Sequence, residues 1–296
     1  TSHPGNIISI VENQPLFLAS KKLEKLHQLI RTVFISRQSC FYKNIWGNVS
    51  LKNKEIDFRS LPVINIKDVI RCKFNDRIYT KNGLFVKIIY HDNVPFLLPR
   101  TKDDISKENY GEICYERPLV FFESSHESVE KGLWLHDKSI LPLIAEDNLD
   151  ITEMIAGRYE IDSIVGDVES IRSLFSGGWR HFDFKKIINV TVIDSRFEKS
   201  FWISLKNVFP NAKRQVVLAL PETGSLGQPC KEGGVEKLVF HPSENTLIEI
   251  RGTGHLIATR LILLPTPIIK YETGIKIRVE KINCSCKSEL SFSLQN

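Results

Sequence analysis

Long apolar runs, blocks of one charge sign and paired cysteines are all scarce in this sequence. Six cysteines in 296 residues are too few for the disulfide framework of a secreted scaffold. They point instead to reduced thiols or a metal site, and so to the cytoplasm. The apolar runs are short and broken by proline or charge, as over 261–269, which excludes a membrane-spanning helix. The opening Thr1-Ser2-His3-Pro4-Gly5 has no basic stretch before an apolar one and is not read as a signal peptide. Forty Lys and Arg against 35 Asp and Glu give a net charge of +5. These charges are scattered, without the basic block that marks a nucleic-acid or membrane-surface protein. There is no Gly-x-Ser-x-Gly elbow and no His-Glu-x-x-His helix. His27, His91, His136, His181 and His255 fall into no catalytic pairing.

What is present is an ordinary globular composition, 42% apolar and 25% charged, at a length that allows one large domain or two modest ones. Leu16, Leu23, Leu26, Leu29, Ile30, Val33 and Phe34 recur at helical spacing and predict an amphipathic helix over 16–36. Residues 39–43 read as a loop holding buried aromatics, 58–63 as a turn, and 67 onward as a new helix. Strands are expected at 84–90, 119–123 and 187–193, the last apolar enough to be covered on both faces. A corner over 124–132 follows the second of these. Helices are expected at 151–155 and 201–209, and from a cap at Asp167 to 175, with a short buried strand in 159–166 and a turn at 176–178. Residues 254–274 read as two strands around a Pro-rich turn, followed by the close pair Cys284 and Cys286, a metal clip. Alternating strands and helices predict a layered α/β protein with mixed sheets and flanking helices. Three regions are expected: a helical segment over 1–80, a first α/β subdomain over 81–178, and a second over 179–296 that carries the metal clip.

Several stretches, taken in order, resemble the adenylate-forming (AMP-binding) superfamily, in particular its phenylacetate–CoA ligase and coenzyme F390 synthetase branch. Ser39-Cys40-Phe41-Tyr42-Lys43 is similar to that branch's "S-P-F-Y-R". Leu61-Pro62-Val63 with Lys67-Asp68-Val69 is similar to "L-P-V-x-x-K-x-D-L". Pro267-Ile268-Ile269-Lys270-Tyr271-Glu272-Thr273-Gly274 is similar to "P-L-I-R-Y-x-T-G-D", and Cys284-Ser285-Cys286 to "C-x-C-G". The resemblance implies a shortened large domain of such an enzyme. It also implies that the nucleotide, with Mg²⁺, would meet Ser124, Ser125, Ser128, Glu222, Lys270, Tyr271 and Thr273.

The departures from those motifs fall on chemistry-bearing positions. Phosphate loops need glycine so that backbone N–H groups can close around oxygens. Here His126 and Val129 stand where the family has glycine, and Glu127 adds a carboxylate where phosphates would sit. Leu218 replaces the ring that stacks on adenine. Pro221 replaces a hydroxyl residue, and Ile275 the ribose-gripping aspartate, which it cannot imitate. Lys270 replaces an arginine and loses its planar fork. The sequence ends at Asn296, leaving no room for the family's small C-terminal domain and its catalytic lysine.

The expectation is a degenerate domain of this type, acting as a non-catalytic or partner-dependent binding subunit, with no catalytic residue assigned. The alternative is a live carboxylate-activating ligase using ATP and Mg²⁺, with CoA or a carrier protein as acceptor, completed by a partner chain. A third reading is an acyl-transfer component carrying its acyl group on a cysteine. Enzymes of the branch also carry a Cys, a His and a "C-x-C" in this order, which implies Cys230, His241, Cys284 and Cys286 as a Cys₃His zinc set. The other reading of those residues is unrelated buried cysteines with a surface histidine. Cys40, Cys72 and Cys114 read as isolated thiols.

Overall fold

The computed structural model describes residues 8–11, 14–16, 20–36, 40–47, 58–79, 84–91, 94–145, 148–231, 238–281, 284–286, 288 and 290–295. The chain gathers into two compact units, neither of them a continuous stretch. One comprises 1–104, 242–281 and 287–295; the other comprises 105–241 and 282–286. The chain-order division at residues 80 and 178 is not the one these contacts draw.

The first unit opens with an antiparallel pair, β1 (Ile8–Val11) and β2 (Gln14–Leu16). Helix α1 (Ser20–Ser36) follows. Its Leu26, Leu29, Ile30 and Val33 are buried as their spacing requires, but Leu16 belongs to β2 and not to the helix. Helix α2 (Cys40–Ile45) stands where a loop is expected; its Phe41 and Tyr42 are buried, as expected. The Cys40 side chain lies outside the described residues. Asn65 and Asp68 form a reciprocal capping box that starts α3 (Ile66–Arg71). Short α4 (Phe74–Arg77) leads to the hairpin β3 (Leu84–His91) and β4 (Val94–Thr101), and then to α5 (Lys102–Ser106).

The second unit is built on a parallel sheet. Its elements are β5 (Pro118–Phe121), α6 (Ser125–Asp137), β6 (Leu143–Ile144), α7 (Leu149–Tyr159), β7 (Ser163–Gly166), α8 (Val168–Ser173), β8 (Asn189–Asp194), α9 (Lys199–Val208) and β9 (Lys213–Leu220). The strand order is β6-β5-β7-β8-β9, all parallel. Strands β7 and β8 are buried throughout, which is why 187–193 reads as a continuous apolar run. By the right-handed rule for parallel crossovers, this strand order places α6 on one face of the sheet and α7, α8 and α9 on the other. Strand β10 (Gly224–Pro229) runs antiparallel to β9, and β11 (Val239–Pro242) lies beside β10.

Back in the first unit, β12 (Thr246–Arg251), β13 (His255–Arg260), β14 (Tyr271–Glu280) and β15 (Ser291–Leu294) form an antiparallel run. Strand β14 begins only at Tyr271. Before it, the Pro-rich turn is pinned by Tyr42, whose hydroxyl donates to Pro267 O (2.6 Å) and accepts from Ile269 N (3.1 Å). Burial drives that phenol far above its usual range.

Candidate nucleotide site and metal centre

In a doubly wound sheet, ligands bind beyond the carboxyl ends of the strands where the order reverses. Here that point lies between β5 and β7, whose helices leave toward opposite faces. Ser124 is the N-cap of α6, and its carbonyl accepts from Glu127 N (2.9 Å) and Ser128 N (3.1 Å). The stretch expected as a strand-to-loop corner is therefore the first turn of a 13-residue helix. Ser128 is buried, and its Oγ accepts from Phe122 N at 3.0 Å, tying the helix to β5. The Ser125 backbone opens α6, but its side chain and that of His126 lie outside the described residues.

Glu127 is half-buried. Its carboxylate lies 2.7 Å from Lys131 Nζ, one helical turn on. Lys131 is also buried, 3.2 Å from Glu130, 2.9 Å from the Tyr110 hydroxyl and 4.3 Å above the Tyr110 ring. Burial alone would lower the Lys131 pKa, but Glu127 and Glu130 outweigh it and raise it well above the usual amine range.

Around the same strand ends sit Glu123, Asp167 and Asp194. Asp167 caps α8, accepting from Ser170 N and Glu123 N, both at 2.7 Å. Burial is the main cause of its raised pKa; those bonds oppose the rise and nearby Asp194 adds to it. Asp194 accepts from Val168 N (3.1 Å), Ser195 N (2.6 Å) and Arg196 N (3.0 Å). Arg196 reaches Asp194 at 3.3 Å and Glu123 at 3.8 Å. Three carboxylates thus face one guanidinium where an incoming triphosphate would add further negative charge.

Glu222 lies in the turn between β9 and β10. Gly224, just after it, has φ +70° and leaves room for the Glu108 carboxylate, which an added Cβ would strike. Glu108 accepts from Ser225 N at 3.2 Å.

The remaining predicted nucleotide residues belong to the first unit, where each is engaged. Lys270 is buried with φ +51°. Its Nζ lies 3.6 Å from Glu249 and 5.1 Å above the Phe58 ring. Burial raises the Glu249 pKa, and Lys270 partly offsets that. Tyr271 is buried at the start of β14, opposite Ala258. Thr273 Oγ1 donates to Leu256 O (2.9 Å) and accepts from Ile275 N (3.2 Å).

The sequence pattern did not single out Glu108 or Lys131 as important. Lys131, four residues after Glu127, carried the one local signal.

The four metal-clip residues do converge. One ligand atom from each of Cys230, His241, Cys284 and Cys286 lies within 4.8 Å of all the others, and Cys284 Sγ is 3.2 Å from His241 Nε2. Tetrahedral zinc with Zn–S of about 2.3 Å and Zn–N of about 2.0–2.1 Å sets its ligands roughly 3.5–3.8 Å apart, so the donor set fits that ion in number, chemistry and spacing. Burial first, then the sulfurs of Cys230 and Cys286, push the Cys284 thiol upward; a bound divalent cation would reverse that direction. All four residues belong to the second unit.

No family model and no curated sequence matches the chain. Solved structures match it by fold. A 2-hydroxyisobutyryl-CoA ligase in the postadenylation state with R3-HIB-AMP aligns at TM-score 0.69 and 11% identity, over 91% of this chain and 65% of that one. An open conformation of 2-hydroxyisobutyryl-CoA ligase, with 2-HIB-AMP and CoA, aligns at TM-score 0.67 and 10% identity, over 91% and 71%. The N-terminal domain of FACL13 from Mycobacterium tuberculosis aligns at TM-score 0.53 and 10% identity, over 73% and 61%. The class is therefore a mixed α/β protein with a doubly wound parallel core. More narrowly, the fold is that of the large N-terminal domain of adenylate-forming enzymes, and the chain spans about two thirds of the length of the first two ligases.

Proposed function

We propose that this chain is a binding subunit on the adenylate-forming fold, of the phenylacetate–CoA ligase type. It does not activate a carboxylate by itself; it works in the cytoplasm with a protein partner and is braced by one structural zinc. The observation that carries this reading is the Glu127–Lys131 pair at 2.7 Å in the first turn of α6. A phosphate cradle there requires free backbone N–H groups and glycine. This turn instead has a buried serine bonded to Phe122 and a carboxylate matched to its own lysine. Losing several contacts of a few kcal/mol each, all made to the reacting nucleotide, lowers a rate by many orders of magnitude.

Thermal unfolding with and without Mg-ATP tests the reading, because a ligand that prefers the folded state raises the melting temperature. The expected result is no shift at millimolar Mg-ATP. A rise of several degrees, or ATP–pyrophosphate exchange with any of a panel of aryl and fatty acids, sinks the reading.

The rival is a carboxylate-activating ligase completed by a partner chain, using ATP, Mg²⁺ and a CoA or carrier-protein acceptor. It is favoured by the placement of Ser124 and Glu222 just past the carboxyl ends of β5 and β9. The same pyrophosphate assay decides between the two.

Zinc at Cys230, His241, Cys284 and Cys286 would be structural: four protein donors close its coordination and leave no position for water or substrate. Less than about a tenth of an equivalent of zinc in undenatured protein would remove it from the reading.

A further inference from the structure

The four metal donors differ in how they are held. Cys230 and His241 are buried, 2% and 7% exposed, and share one local frame. Cys230 directly follows β10, its N–H donates to Val239 O at 2.8 Å, and His241 lies two residues on in β11. Backbone pairing holds that frame. Cys284 and Cys286 are only half-buried and arrive from a distance. The chain leaves this unit after His241, is counted with the other unit over 242–281, returns for 282–286 and departs again at 287. Bringing such a long excursion back costs closure entropy. Over 284–286 the chain offers two thiols and a hydroxyl, and no apolar side chain to bury. Cys284 meets the frame through its sulfur, beside His241 Nε2 and Cys230.

We propose that the metal is a latch. Two donors wait on the β10–β11 frame, two ride on the Cys284-Ser285-Cys286 hook, and cation binding switches the hook from undocked to docked. This rests on the zinc reading above and goes beyond it. A closed structural site that braced the whole fold would be needed everywhere; a latch is a closed site that acts on one segment and leaves the rest folded without it.

Two lysines, Lys281 and Lys287, bracket the hook, so trypsin excises 282–287 when the segment opens. The whole protein is divided into zinc-loaded and chelator-stripped samples, zinc content is measured in each, and cleavage after Lys281 and Lys287 is timed by mass spectrometry. Cleavage after exposed Arg158 in α7 is the internal control. With one equivalent of zinc bound, cleavage at the hook is expected to slow by about tenfold or more while Arg158 is unaffected, since local opening is independent of global unfolding. Cys286→Ser in zinc is expected to cleave at the stripped rate, with unchanged far-UV circular dichroism. Zinc bound with no change in hook cleavage overturns the latch and leaves the metal site standing. Zinc slowing both sites alike makes the metal a global brace and also overturns the latch. Absence of zinc binding overturns both.

Discussion

Ser128 looks like a phosphate ligand in the sequence and behaves as a splice in the structure. Its hydroxyl accepts from Phe122 N inside the protein, so Ser128→Ala leaves a buried donor unmatched at a cost of about 1–3 kcal/mol, read as a lowered urea midpoint. Lys131 is the more sensitive position. Lys131→Met strips the cation from two carboxylates that are 13% and 1% exposed, and breaking a buried pair in this way costs about 3–5 kcal/mol. Acidification should restore part of that loss, because the stranded carboxylates can then be protonated. Equal losses at pH 7 and pH 5 would refute the account.

Glu153 supplies a pH test of opposite origin. Burial pushes its pKa up, but the backbone N–H groups of His181, Arg180 and Phe182 outweigh burial and hold it below the usual carboxylate range. A depressed carboxylate stabilises the fold above its unfolded pKa of 4.5 and loses that contribution as the pH falls through its folded value. Melting temperature should therefore drop below about pH 4.5 in the wild type, and Glu153→Gln should flatten the drop.

At the scale of elements, α6 decides the most. A helix that begins at Ser125 points its first backbone N–H groups along its own axis, and Ser124 O and the Ser128 hydroxyl already bind within the β5–α6 corner. Replacing Glu127 with glycine would remove the carboxylate but leave that helix in place. Mg-ATP is expected to leave the melting temperature of Glu127→Gly unchanged, and a clear rise would show that one side chain, rather than the whole turn, closes the site. The β10–β11 frame is the second decisive element, because it brings Cys230 and His241 together across the stretch 231–240.

For the whole molecule, the governing fact is that both units are discontinuous in sequence. They also differ in charge. Of the 40 Lys and Arg and 35 Asp and Glu, the unit containing 105–241 and 282–286 holds 16 basic and 21 acidic residues, net −5; the remainder holds 24 and 14, net +10. A modest overall charge therefore conceals two oppositely charged bodies. Cutting the chain by sequence order separates elements that fold together. A 105–241 fragment keeps Cys230 and His241 but loses Cys284 and Cys286, and should bind zinc at least about a hundredfold more weakly than the full chain, as measured by competition with a chromophoric chelator. Equal affinity would show that the hook contributes no donors.

The sequence by itself determined the layered α/β class, because buried parallel strands must read as apolar runs and amphipathic helices must repeat near 3.6 residues. The family resemblance implied Cys230, His241, Cys284 and Cys286 as a set, and the structure brings those four side chains together. The sequence located α1, β7, β8, α8 and α9 closely, where caps and periodicity agree. It misplaced Leu16, α2 and the start of α6, where a few residues of local pattern suit loop and helix alike. Only the tertiary structure decided that Glu127 turns inward to Lys131 and that Lys270 turns to Glu249. It alone decided that residues 282–286 return to a unit the chain had left at His241. Those outcomes depend on which buried charges must find partners and on where a folded chain comes back upon itself; local spacing records only that Lys131 lies one helical turn after Glu127.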